Sequence, residues 1–192
     1  MDKIKIVGII GSLRKDSYNK MLFNASKELI PDGVELVEAN ISDLPLYNDD
    51  LMENIPESVK KFKNDIKDAD AFLFVTPEYN YSVPGVLKNA IDWASRPYDD
   101  NSLYGKPAAM MSASVGMLGG ARAQYHLRQS FVFLNMFTIN RPEVFISFAQ
   151  DKFDKAGNLT DEKAKEIIRK LFLNLVDLTK ILESGKDIFN RI

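Results

Sequence analysis

The stretch Ala71-Phe72-Leu73-Phe74-Val75-Thr76-Pro77-Glu78-Tyr79-Asn80-Tyr81-Ser82-Val83-Pro84-Gly85 changes character at its middle. Its first part is a continuous apolar run, the pattern of a strand buried on both faces of a parallel sheet. Its second part is polar and turn-forming, with Pro77 fixing the way in and Pro84 suited to the first turn of a helix. Open α/β folds place ligands where such strands end. A second loop, residues 11–19, follows another apolar run over residues 4–10. Together the two loops suggest one ligand with an anionic end and a flat polar end.

Working outward, apolar runs rich in β-branched residues alternate with stretches of helical period, which reads as βαβα with a parallel sheet. Strands are expected over residues 3–10, 35–39, 71–76, 107–112 and 143–147. Helices are expected over about 17–29, from 56 through Ala69, from 84 through Ala94, over 121–136, and from an N-cap at Thr160 to a stop at Gly185. The connection over residues 41–55 carries Leu44-Pro45-Leu46-Tyr47, too apolar for a free linker. Right-handed crossovers then favour a doubly wound, three-layer α/β/α sandwich with a five-stranded parallel sheet in the order 2-1-3-4-5, a flavodoxin-like fold. Its ligand position is the switch point between the first and third strands, and the two informative loops follow those strands. All 192 residues fit a single domain large enough to need no staples.

Composition excludes several chemistries. A net charge of −2 without a basic block argues against nucleic-acid binding. The chain has no cysteine, so disulfides, thiolate nucleophiles and dithiol redox steps are out. A single histidine, His126, makes a His-based metal site or a Ser-His relay implausible within one subunit, and it reads as a surface or interface residue. The apolar run at residues 4–10 is too short for a membrane span or a signal peptide, so no membrane partner and a cytoplasmic location are expected.

The first loop joins a strand to a helix N-terminus, where free N–H groups and the helix dipole favour an anion. Ser12, Arg14, Ser17 and the Asn19 amide are its candidate ligands. It matches neither GxxxxGK[ST] nor GxGxxG. An ordinary βα turn in which Ser17 caps the helix fits the same residues. In the second loop, the backbone around Pro77, Glu78, Tyr79 and Asn80 offers donors and acceptors to a heteroaromatic ring edge, with Tyr79 and Tyr81 as walls. A plain helix-entry turn with packed tyrosines fits those residues too. A third turn, Ser114-Val115-Gly116-Met117-Leu118-Gly119-Gly120, allows close backbone approach to the same ring or is a simple flexible loop.

These three motifs, with Pro84-Gly85-Val86-Leu87-Lys88-Asn89-Ala90-Ile91-Asp92-Trp93 and Ala121-Arg122, strongly resemble the NAD(P)H-dependent FMN reductase family, closest to its chromate/quinone reductase branch. The resemblance runs from the first strand to about Glu143. It implies non-covalent FMN, with Ser12, Arg14, Ser17 and Asn19 at the phosphate. Pro77, Glu78, Tyr79 and Asn80 would line the isoalloxazine edge, and Ser114, Gly116 and Gly119 would border its other side. It also implies NADPH or NADH as co-substrate, with ping-pong transfer to quinones, azo compounds, free flavin or chromate. No side chain is then required as acid or base, and Glu78 reads as a loop-shaping acceptor.

Members of that family form dimers and tetramers, so a homodimer or homotetramer is expected. The apolar second half of the fourth helix (Leu127, Phe131, Val132, Phe133, Leu134, Met136 and Phe137) agrees, and Arg122, Tyr125 and Gln129 are expected to face a neighbour. The competing class is a flavodoxin-like electron carrier without nicotinamide turnover. Such carriers profit from a strongly acidic docking surface, which a charge of −2 hardly offers.

Overall fold

The computed structural model describes residues 3–185. β1 (Ile4–Ile10), β2 (Val34–Ala39), β3 (Ala71–Val75) and β4 (Pro107–Ala113) run parallel in the order β2-β1-β3-β4. β5 (Phe137–Thr138) and β6 (Val144–Ile146) both lie parallel to β4 and complete that edge, so the order is 2-1-3-4-5.

Alternation along the strands splits the core into two layers. Ile6, Ile10, Leu73, Val75, Ala109 and Met111 face α1 (Tyr18–Ser26) and α5 (Glu162–Ser184). Val7, Ile9, Phe72, Phe74, Ala108 and Met110 face α2 (Glu57–Lys67), α3 (Gly85–Ala94) and α4 (Ala121–Phe133). Both faces of β3 are therefore dry, which is why its sequence reads as an unbroken apolar run. Burying each such Phe or Leu contributes about 1.5–3 kcal/mol. The apolar connection after β2 is docked: Trp93 Nε1 and Asn89 Nδ2 donate to Pro45 O, each at 2.8 Å, and Tyr47 sits edge-on to Trp93. Among the described residues no helix is long and apolar enough to cross a membrane.

Four boundaries differ from the sequence expectation. The fifth strand is split. Phe137 and Thr138 pair with Pro107 and Ala108, the chain leaves the ladder, and it rejoins β4 at Val144. Pro142 brings no N–H to a ladder, and Arg128 holds the detour through Thr138 Oγ1, Asn140 Oδ1 and Ile139 O. α4 stops at Phe133 rather than residue 136, because Asn135 turns left-handed (φ 51°) and the N–H groups of Asn135 and Met136 return to Val132 O and Phe131 O. The N-cap of α5 is Asp161 and not Thr160. Asp161 Oδ1 accepts from Ala164 N–H at 2.9 Å, while the Thr160 N–H and hydroxyl both donate to Lys152 O. α1 tightens after Ser26, with three-residue bonds carrying the chain to Leu29.

Candidate functional site

Register places three loops side by side. Ile10 is opposite Val75, and Val75 is opposite Met111, so β1, β3 and β4 end at one edge of the sheet. Backbone bonds continue past the strands, from Gly11 N–H to Val75 O (2.9 Å) and from Thr76 N–H to Met111 O (3.0 Å).

At the first loop, Ser17 occupies the N-cap position of α1 with extended backbone, yet its side chain makes no capping bond. Among the described residues nothing accepts from the N–H groups of Tyr18, Asn19 and Lys20. Ser17 is only 3% exposed, so these donors sit at a partly buried, uncapped helix end, where an anion is stabilised. The turn is thus not closed by Ser17 as an ordinary capped turn would be. Ser12 Oγ accepts weakly from Arg14 N–H (3.4 Å), and the Arg14 guanidinium is exposed, touching Asp16 O and lying 5.7 Å from the Tyr18 ring centroid. The Asn19 amide, given to the phosphate in the sequence reading, is spent elsewhere. It donates to Ala113 O and accepts from Ala113 N–H, both at 2.9 Å, and so clamps α1 to the end of β4.

At the second loop, Tyr79 and Ser82 exchange both backbone bonds, Tyr79 N–H to Ser82 O at 3.0 Å and Ser82 N–H to Tyr79 O at 2.9 Å. Within this small hairpin the N–H groups of Asn80 and Tyr81 remain unpaired and exposed. The Glu78 side chain is engaged within the chain. Its carboxylate accepts from Arg122 N–H at 3.0 Å and from Arg122 Nη1 at 3.1 Å, which supplies the N-terminus of α4 with the cap that Gly120 lacks. This agrees with a loop-shaping role.

At the third loop, Ser114 Oγ accepts from Gly116 N–H (3.1 Å), and Ser114 N–H donates to Ile146 O (3.0 Å). Gly116 is exposed, and a Cβ there would meet only Ser114 Oγ at an ordinary 3.5 Å. Gly119 is buried with φ 57°, and a Cβ there would come within 2.9 Å of the Phe145 backbone. The protein's own packing therefore explains Gly119. Phe148 N–H donates to Gly116 O and Ser147 Oγ to Met117 O, so the segment after β6 supports this turn.

The rim of the three loops is apolar: Leu13, Tyr79, Tyr81, Val115, Met117 and Phe148 are all exposed. Such a clustered patch marks a binding surface for apolar matter. A cleft of about 410 Å³ between α1, residues 156–159 and α5 shares no residue with these loops.

Sequence reasoning missed three contributors on α4. Arg122 binds Glu78 and stacks its guanidinium 3.8 Å from the Tyr81 ring centroid, His126 Nδ1 lies 3.0 Å from Ser82 Oγ, and buried Gln124 Nε2 donates to Ser112 Oγ and Val144 O. The spacing of Arg122 and His126, one helical turn apart, was the available signal. The polar face expected to meet a neighbour is partly engaged inside the chain. Arg122 serves Glu78, and Tyr125 donates to Glu143 at 2.8 Å, a bond that raises the tyrosine pKa.

Residues 4–151 match the family model described as NADPH-dependent FMN reductase. An NAD(P)H-dependent FMN reductase of Pseudomonas aeruginosa is 53% identical over 169 residues, covering 88% of this chain and 91% of the relative. A 2-hydroxy-1,4-benzoquinone reductase of a Burkholderia species is 43% identical over 166 residues, covering 86% and 91%. The solved flavoenzyme NAD(P)H:(acceptor) oxidoreductase FerB of Paracoccus denitrificans superposes with a TM-score of 0.85 at 40% identity, covering 92% of this chain and 97% of that one. With the family model spanning the sheet edge and all three loops, the chain belongs to the NADPH-dependent FMN reductase family.

Proposed function

We propose that this chain is an FMN-dependent NAD(P)H oxidoreductase that reduces quinones and comparable flat small molecules. The observation that carries the reading is the pairing, across β1 and β3, of an uncapped helix N-terminus with a hairpin that keeps two N–H groups free. One end suits a phosphate and the other a polar ring edge, at the switch point of a doubly wound sheet.

When bound, FMN supplies the hydride acceptance and donation. The chain's own residues bind and orient. Ser12, Arg14 and Ser17, with the N–H groups of Tyr18, Asn19 and Lys20, hold the phosphate, and the exposed Arg14 adds a charge-assisted bond. Asn19 contributes its backbone while its side chain braces the helix on β4. Pro77, Glu78, Tyr79 and Asn80 form the segment along the ring edge, with Glu78 acting through Arg122. Ser114 and Gly116 border the opposite side, and Gly119 shapes that turn. Tyr79, Met117 and Phe148 provide the apolar rim against which a quinone or an azo compound rests. No side chain is asked to act as acid or base.

The test is anaerobic addition of NADPH, and separately NADH, to the purified yellow protein. Bleaching of the flavin band followed by reoxidation with a benzoquinone is expected. A flavin spectrum untouched by either nucleotide would favour the electron-carrier reading instead.

A further inference from the structure

The hairpin at residues 79–82 is strained in a way its own sequence does not relieve. Its central residues, Asn80 and Tyr81, have φ values of 50° and 63°. Both positions of such a turn require positive φ, which Asn followed by Gly supplies best. Asparagine tolerates the left-handed region, whereas a bulky tyrosine there is an outlier. Residues kept in such conformations persist only where their surroundings over-determine them.

Here the surroundings are the first two turns of α4. Glu78, just before the hairpin, is bound by the Arg122 backbone and guanidinium. The same guanidinium covers the Tyr81 ring at 3.8 Å, and His126 one turn later meets Ser82 Oγ at 3.0 Å. Among the described residues, the side chains that tie the hairpin down thus come from one face of one helix. Tyr79 and Tyr81 nonetheless remain exposed to solvent.

We propose that Glu78, Arg122 and His126 form a clamp that holds the hairpin in its left-handed conformation before the cofactor arrives, so that FMN meets a preformed ring-edge site. This rests on the FMN reading above. These are positioning residues: Arg122 acts on the cofactor through Tyr81 and Glu78. Their contribution is preorganisation, because an unclamped hairpin would have to be ordered on binding, at the expense of affinity.

The test compares Tyr81→Ala, Tyr81→Gly and Arg122→Met by FMN affinity, read from quenching of flavin fluorescence by protein stripped of its flavin. Both Tyr81 variants lose the ring, but only glycine escapes the left-handed penalty. Tyr81→Ala is expected to weaken FMN binding about ten-fold, and Tyr81→Gly to stay within about two-fold of wild type. Arg122→Met is expected to weaken binding about ten-fold with Tyr81 present and by less than about two-fold in the Tyr81→Gly background. Equal losses for the alanine and glycine variants, or an Arg122→Met loss of the same size in both backgrounds, would overturn the clamp. A reading without cofactor accompanies this. In the stripped protein, amide exchange at Tyr79 and Ser82 should be slow in wild type and faster in Arg122→Met, and unchanged exchange would also overturn it. If stripped wild-type protein takes up no FMN, the cofactor reading falls, while the exchange result still judges the clamp.

Discussion

Gly8, in the middle of β1, shows how a single atom positions the helix that follows the first loop. The Phe23 ring of α1 lies directly over it, and a Cβ at residue 8 would fall 2.1 Å from Phe23 Cε2. The absent side chain lets α1 lie flat on the sheet, with Phe23 fully buried. Gly8→Ala is expected to destabilise by about 1–3 kcal/mol through overpacking, seen as a lower urea midpoint with an unchanged slope. Phe23→Leu added to Gly8→Ala should recover part of that loss, since it vacates the contested space. A Gly8→Ala variant as stable as wild type would show that the ring moves aside freely. The glycine is plain in the sequence, but nothing local reveals that its neighbour is Phe23, fifteen positions on. At the same scale the sequence offers Asn19 as a site candidate but hides its role as a brace, because its partner Ala113 is 94 positions away.

Among elements, α5 closes one face of the sandwich, and its start depends on Asp161. The Lys152 ammonium hydrogen-bonded to this carboxylate, together with the Ala164 N–H, holds its pKa below the ordinary carboxylate value. A folded-state pKa below the unfolded one means that protonation favours unfolding. The stabilisation is present in full above the unfolded pKa and is lost as pH falls through the folded value. Asp161→Asn keeps a capping oxygen but not the charge, so it should be less stable than wild type at pH 7, with the gap closing as pH drops below the carboxylate range. Denaturant melts at several pH values measure this, and a gap independent of pH would contradict it. The helix itself was legible from its apolar stripe, with Ile168, Leu171, Phe172 and Leu175 buried as that period requires. Its first residue was not, because Thr160 and Asp161 are both good caps and the choice falls to Lys152, a residue outside the helix. The split edge strand was hidden for a related reason: two and three residues of ladder carry too little periodicity to be read.

At the scale of the whole molecule, the apolar stretch from the second half of α4 into the turn after it divides between inside and outside. Leu127, Phe131, Leu134 and Met136 are buried, whereas Val132 is 82% exposed and Phe133 69% exposed. Side chains of this size left in water at a helix end favour association, and size-exclusion chromatography with light scattering is expected to give at least a dimer mass. A monomer at micromolar concentration would remove that expectation. The sequence by itself determined the layer architecture and strand order, because burial alternates with period two in strands and with helical period between them, and short crossovers leave few topologies. It also located the three loops, since loop position follows from where strands end. Only the tertiary structure decided what individual polar groups in those loops do. Glu78 turns to Arg122, 44 positions away, and Asn19 to the end of β4, while the N–H groups of Tyr18, Asn80 and Tyr81 find no acceptor among the described residues. A carboxylate or an amide bonds to whichever donor folding brings near, and that neighbour is set by the packing of distant segments.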